Sequence, residues 1–77
     1  MIPHVGDLLV TRYSHVHVWD EDLEDTVDEL IKGELMLIIA ASHPTRKKRL
    51  NPEFYRQVLT QSRIVGWVHL DNCDVID

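Results

Sequence analysis

The run Glu34-Leu35-Met36-Leu37-Ile38-Ile39-Ala40-Ala41 constrains the fold more than any other part of the sequence. It is apolar at both alternating sets of positions, the pattern of a strand covered on both faces. The unbroken apolar stretch, Leu35 to Ala41, is far short of the roughly 20 residues a membrane helix requires. A central strand is predicted, and no membrane span. The whole chain of 77 residues can make one hydrophobic core and not two, so a single domain over 1–77 is expected. With 44% hydrophobic and 27% charged residues, it carries enough apolar material to offset ordering entropy.

A single cysteine, Cys73, cannot form an internal bridge, whereas small extracellular domains usually depend on several, so a reducing, cytoplasmic setting is expected. The start Met1-Ile2-Pro3-His4 has no basic segment followed by an apolar stretch, and no signal peptide is read there. Thirteen acids against eight bases give a net charge of -5, which opposes nonspecific nucleic-acid binding over the whole surface.

Along the chain, Val5-Gly6-Asp7-Leu8-Leu9-Val10-Thr11 reads as a turn leading into a first strand. In His15-Val16-His17-Val18-Trp19 the valines share one face and the histidines and Trp19 the other, which predicts a second short strand. From Asp20 to Gly33 the period changes. Leu23, Val27, Leu30 and Ile31 fall on one side of a helix with Asp20 as N-cap and Gly33 as C-cap. The acids Glu21, Asp22, Glu24, Asp25, Asp28 and Glu29 then cover its outward face. Ser42 to Pro52 reads as a loop carrying the basic run Arg46-Lys47-Lys48-Arg49. Phe54 to Thr60 resumes strand character, Gln61-Ser62 closes a hairpin into Arg63 to Leu70, and Cys73 to Ile76 makes a short last strand after Asp71-Asn72. The expected core is Leu8, Val10, Leu37, Ile39, Val58, Val68 and Val75, with the helix laid against it.

This order of a strand, a long excursion, a doubly apolar strand, a loop, a hairpin, a brief turn and a terminal strand resembles the SH3-like small barrel. Residues 13 to 33 stand in the place of the RT loop, 43 to 52 in that of the n-Src loop, and 61 to 62 at the distal hairpin. The ending Gly66-Trp67-Val68-His69-Leu70-Asp71-Asn72-Cys73-Asp74-Val75-Ile76 and the opening Val5-Gly6-Asp7-Leu8 are similar to those of SH3-like proteins encoded by tailed bacteriophages. The resemblance implies a mainly β, SH3-like small barrel of about five strands with one amphipathic α-helix inserted in the RT-loop position. It also implies a setting in the host cytoplasm or the virion. The aromatic pairs that form the proline-peptide groove of signalling SH3 domains are missing from the first loop, so the resemblance does not extend to that ligand.

His15 and His17 point the same way on a predicted strand, but the ligand spacing is otherwise incomplete and no tight metal site is expected. Neither a Ser-His-Asp signature, a phosphate loop nor a paired CxxC is present, and neither an enzyme nor a cofactor is expected. The acidic face and the basic loop make the chain bipolar, which suits pairing with a complementary protein or contact between copies. The expected function is therefore a non-catalytic protein-interaction module, with Trp19, Asp25, Asp28, Glu29 and Trp67 facing an unidentified protein partner. The alternative is a nucleic-acid-binding small β-barrel that uses Arg46, Lys47, Lys48 and Arg49 for phosphates and Tyr55 for stacking.

Overall fold

In the computed structural model, residues 3–41 and 51–76 are described. They contain seven strands: β1 (Leu8–Thr11), β2 (Val16–Trp19), β3 (Thr26–Leu30), β4 (Leu35–Ala40), β5 (Tyr55–Thr60), β6 (Val65–His69) and β7 (Cys73–Ile76). All lie in one sheet of order β3-β2-β6-β5-β4-β1-β7, and every neighbouring pair is antiparallel. The sheet curls into a half-barrel around its inner face, where Leu9, Val16, Val18, Leu30, Met36, Ile38, Val58, Val68 and Cys73 form the core. Short 3-10 turns, Pro52–Phe54 and Leu70–Asn72, lead into β5 and β7. Among the described residues no helix is long and apolar enough to cross a membrane.

The architecture is mainly β, as the sequence predicts, but it has seven strands rather than five and no inserted helix. The segment read as a helix, Asp20 to Gly33, is a tight turn followed by β3, which pairs with β2 through Val16↔Leu30, His17↔Glu29, Val18↔Asp28 and Trp19↔Thr26. A helix there would set Glu21 over Asp25, Glu24 over Asp28 and Asp25 over Glu29, each like-charge pair costing about 0.2–0.5 kcal/mol. It would also place the weak helix formers Thr26 and Val27 mid-helix. Asp20 still caps, but it caps a turn: its Oδ1 accepts from the backbone N–H groups of Asp22 and Glu24, both at 3.1 Å. Leu23 takes a positive φ of 57° within this turn.

The expected core is corrected on two strands, β1 and β4. Leu9 is buried where Leu8 was expected, and Met36 and Ile38 are buried where Leu37 and Ile39 were expected. Leu8, Leu37 and Ile39 face outward, Val10 and Val75 are half-buried, and Val58 and Val68 are buried as expected. Of the helix set, Leu30 is buried, Leu23 is half-buried, and Val27 and Ile31 are exposed.

Thr11 explains which face of β1 turns inward. It is buried, its hydroxyl donates to the carbonyl of Ile31, and the same oxygen accepts from Glu34 N at 2.9 Å. Its backbone adds Thr11 N to Glu34 O (3.0 Å) and Gly33 N to Thr11 O (3.1 Å). Because a buried hydroxyl without partners costs about 1–3 kcal/mol, a position offering both a donor and an acceptor fixes Thr11 inward, and Leu9 with it.

The β5–β6 hairpin closes through three residues rather than two. Thr60 N donates to Ile64 O (2.9 Å), Arg63 N to Thr60 O (3.0 Å), and Arg63 has φ 65°. This is a turn followed by a left-handed residue, a position glycine usually fills. At Gly66 the backbones of β6 and β2 approach closely: a Cβ there would lie 2.5 Å from Val18 Cγ1 and 2.9 Å from the carbonyl oxygen of Trp19.

Candidate functional site

Strand alternation that sends Leu9, Met36, Ile38, Val58 and Val68 inward must send their neighbours outward. On β6, β5, β4, β1 and β7 the outward residues meet in direct pairs: Val65↔Leu59, Leu59↔Leu37, Leu37↔Leu8 and Leu8↔Ile76. The result is an aliphatic row across five strands. Val65 is 49% exposed, Leu8 42%, Ile76 39% and Leu37 37%. Outward positions on β2, β6, β5, β4 and β1 carry no Asp, Glu, Lys or Arg.

Toward β2 and β3 the same face becomes aromatic and then acidic. Trp19 stands opposite Trp67 across β2 and β6, and the rings of His17 and Trp19 are 5.6 Å apart. Trp67 is buried although it faces outward, so Trp19 is the more accessible of the two. Glu29 pairs with His17 across the strands, and its carboxylate also reaches His15 Nδ1 at 2.5 Å. Asp28 lies opposite the buried Val18 and so takes the other face of β3 from Glu29; its Oδ1 accepts from Glu29 N, and Asp25 closes the turn by accepting from Asp20 N through its carbonyl. Five expected partner-binding residues, Trp19, Asp25, Asp28, Glu29 and Trp67, therefore gather around one hairpin and the strand beside it. The Asp20 carboxyl is held below the usual carboxylate range, first by the N–H of Glu24 and then by other N–H groups of the turn.

The expected nucleic-acid residues are only partly placed. Arg46, Lys47, Lys48 and Arg49 lie outside the described residues. Tyr55 meets His69 edge-on at 5.0 Å, and Phe54 lies 5.6 Å from the same imidazole, forming a three-ring group at the start of β5. Among the described residues no three His, Cys, Asp or Glu side chains come together to hold a metal ion.

A cavity of about 670 Å³ opens at the β7 end, lined among others by Arg12, Phe54, Arg56, Leu70, Cys73 and Asp74. The arginines there are engaged. Arg56, buried at 6% exposure, donates to the carbonyls of Pro3 (3.2 Å), Glu53 (2.7 Å) and Tyr55 (2.9 Å), tying the N-terminal segment to β5. Arg12 Nη2 pairs with Asp74 Oδ1 at 2.6 Å, which lowers the Asp74 carboxyl and raises the guanidinium. Burial pushes the Cys73 thiol up to about 12, so it is a protonated core residue rather than a nucleophile at neutral pH.

Sequence reasoning missed the aliphatic row and the structural roles of Thr11 and Arg56. The row did leave a signal in the doubly apolar β4. That pattern announces two apolar faces, while the chain's own core covers only one of them. Comparison of the chain with family models, with curated proteins and with solved structures finds no match.

Proposed function

We propose that the chain is a non-catalytic module that binds protein through the outer face of its sheet, SH3-like in architecture and a phage-encoded accessory or particle component. The architectural part is supported by element order: the β2–β3 hairpin fills the excursion between β1 and β4, and the Leu70–Asn72 turn precedes the last strand. One observation carries the functional part. The outward positions of β2, β6, β5, β4 and β1 hold no Asp, Glu, Lys or Arg, while acids gather on the β2–β3 hairpin beside Trp19. Removing apolar surface from water contributes about 25 cal/mol per Å². An accessible tryptophan supplies an anchor, and rim charges steer the encounter.

Capture of partners from the native cell tests this reading. Trp19→Ala, and separately the triple change Asp25→Lys, Asp28→Lys, Glu29→Lys, should abolish capture, while neutralising Arg46 to Arg49 should leave it intact. Capture unaffected by both the tryptophan and the acidic variants would reject it.

A second reading, a nucleic-acid-binding barrel, is favoured by the Phe54–His69–Tyr55 ring group, in which Phe54 and Tyr55 follow Arg49 by five and six residues in sequence. Rings beside positive charge suit stacking of single-stranded bases. Salt-sensitive binding to generic single-stranded DNA or RNA, lost when Arg46 to Arg49 are neutralised, would put this reading first.

A further inference from the structure

We propose that the cavity at the β7 end binds an apolar carboxylate, its charged end on Arg56 and its hydrocarbon body against Phe54, Leu70 and Val75. None of the described lining residues belongs to the outer-face site, so this claim and the protein-binding reading stand or fall separately.

Arg56 is 6% exposed and its guanidinium is always charged. A guanidinium has five N–H groups. Nε donates to the carbonyl of Pro3 and Nη1 to those of Glu53 and Tyr55, which leaves the two on Nη2. Nη2 has no acceptor among the described residues, yet it is not sealed in, and the open space that Arg56 lines is this cavity. None of the ion pairs among the described residues includes Arg56. Carbonyl dipoles satisfy three of its donors but leave its charge without a counter-ion, and a charge taken out of water is stabilised by an opposite one brought against it. A carboxylate in the cavity supplies that charge and accepts from Nη2 in a charge-assisted hydrogen bond.

The acids that line the cavity do not cancel this preference. Asp74 is committed to Arg12 at 2.6 Å, the Asp71 side chain is 86% exposed, and Glu53 is exposed. Water screens these carboxylates, whereas Arg56 acts from a buried position.

The remaining wall selects the body of the ligand. Pro3, Ala41, Phe54, Leu70 and Val75 are apolar, and the volume of about 670 Å³ falls within the ~300–1,000 Å³ of small-molecule sites. One cationic group in an apolar wall suits an amphiphilic monoanion; a phosphate would leave the apolar surface uncovered. Two sources carry this chemistry: a free aliphatic acid, and the C-terminus of a peptide ending in an aliphatic residue.

The test is a titration of the isotope-labelled full chain, followed through the Arg56 Nε–H resonance and the backbone amides of Phe54, Leu70 and Val75. The probes are hexanoate and acetyl-alanyl-leucine, each compared with its neutral amide. Both acids should shift these resonances saturably, with Kd on the order of 1 mM or tighter, and the amides should bind at least about tenfold more weakly. Phe54→Ala, at a side chain 49% exposed, should keep the fold and weaken both acids about threefold or more. Arg56→Gln should abolish the preference for acid over amide; if it does not fold, the wild-type comparison and Phe54→Ala decide. Tighter binding of the peptide acid points to a peptide C-terminus as the source, and hexanoate binding as tightly or more tightly points to a free acid. Acids and amides of equal affinity overturn the proposal, as do resonances unmoved by either acid up to about 20 mM or affinities unchanged in Phe54→Ala.

Discussion

Trp19 stands directly across from Trp67, and theirs is the single register pair joining β2 to β6. The acidic hairpin thus pairs with β6 at one register position. There the two backbones come close enough that only glycine fits at position 66.

Gly66→Ala should therefore destabilise the domain by about 1–3 kcal/mol, the usual cost of overpacking a tight contact. The intruding methyl meets Val18 Cγ1 in the core, Val27 Cγ2, and the Trp19 carbonyl, which belongs to the backbone. Urea unfolding measures the change. A variant as stable as the wild type would show that the crossing has slack.

Arg63→Gly should act in the opposite direction. Arg63 holds φ 65° in the β5–β6 turn, a conformation that costs a residue with a Cβ about 1–2 kcal/mol and glycine almost nothing. Part of that relief is offset by the greater freedom of glycine in the unfolded chain, leaving a gain of roughly 0.5–1 kcal/mol. The readout is a melting temperature a few degrees higher.

Leu9 and Leu8 provide a paired test of the face assignment. Leu9→Ala should cost about 2–5 kcal/mol as a core deletion, while Leu8→Ala, on the outward face, should cost no more than about 0.5 kcal/mol in the monomer. Equal losses would contradict the inward turn of Leu9. Leu30→Asp should likewise unfold the domain and Ile31→Asp should not, because Leu30 is buried and Ile31 is 66% exposed.

Cys73 predicts how stability falls in alkali. Its thiol is raised to about 12 in the fold, whereas in the unfolded chain a free thiol titrates near ~8.5. Above the unfolded value the native state binds more protons than the unfolded one, so stability declines with rising pH through this window by at most ~1.4 kcal/mol per unit. Denaturant melts of the wild type and of Cys73→Ala, compared from neutral pH to pH about 10, isolate this contribution. A wild-type slope no steeper than the variant's would refute it.

The strands were legible in the sequence because β-branched and alternating residues mark them, as in His15 to Trp19 and Phe54 to Thr60. Asp20 to Gly33 was misread because Leu23, Val27, Leu30 and Ile31 happen to follow a helical period. The decisive terms were repulsion along the acidic segment and the fit of Leu30 beside Val16, which no local pattern reports. Along β1 and β4 the inward face was ambiguous for a different reason: Leu8, Leu9 and Val10, like Leu35 to Ile39, are apolar at every position and have no polar phase. A buried threonine, which pattern reading would send to solvent, made the choice. Of the candidate site, the grouping of Trp19 with Trp67 required the β2–β6 crossing, a contact between residues 48 apart by their numbers.

The pairing of Leu8 with Ile76 has a consequence for how the molecule is made. β1 acquires β4 as a neighbour once residues 35 to 37 exist, but its other edge stays open until β7 has left the ribosome. Until then β1 offers a row of unpaired amide and carbonyl groups, a template for any extended chain nearby. A sheet whose outer seam joins residues so distant along the chain also belongs among the slower small folders, on the order of milliseconds to seconds, because the loop must close before its contacts contribute. A nascent chain stalled before Cys73 would hold that edge open, and would be the species most prone to pair with the wrong strand.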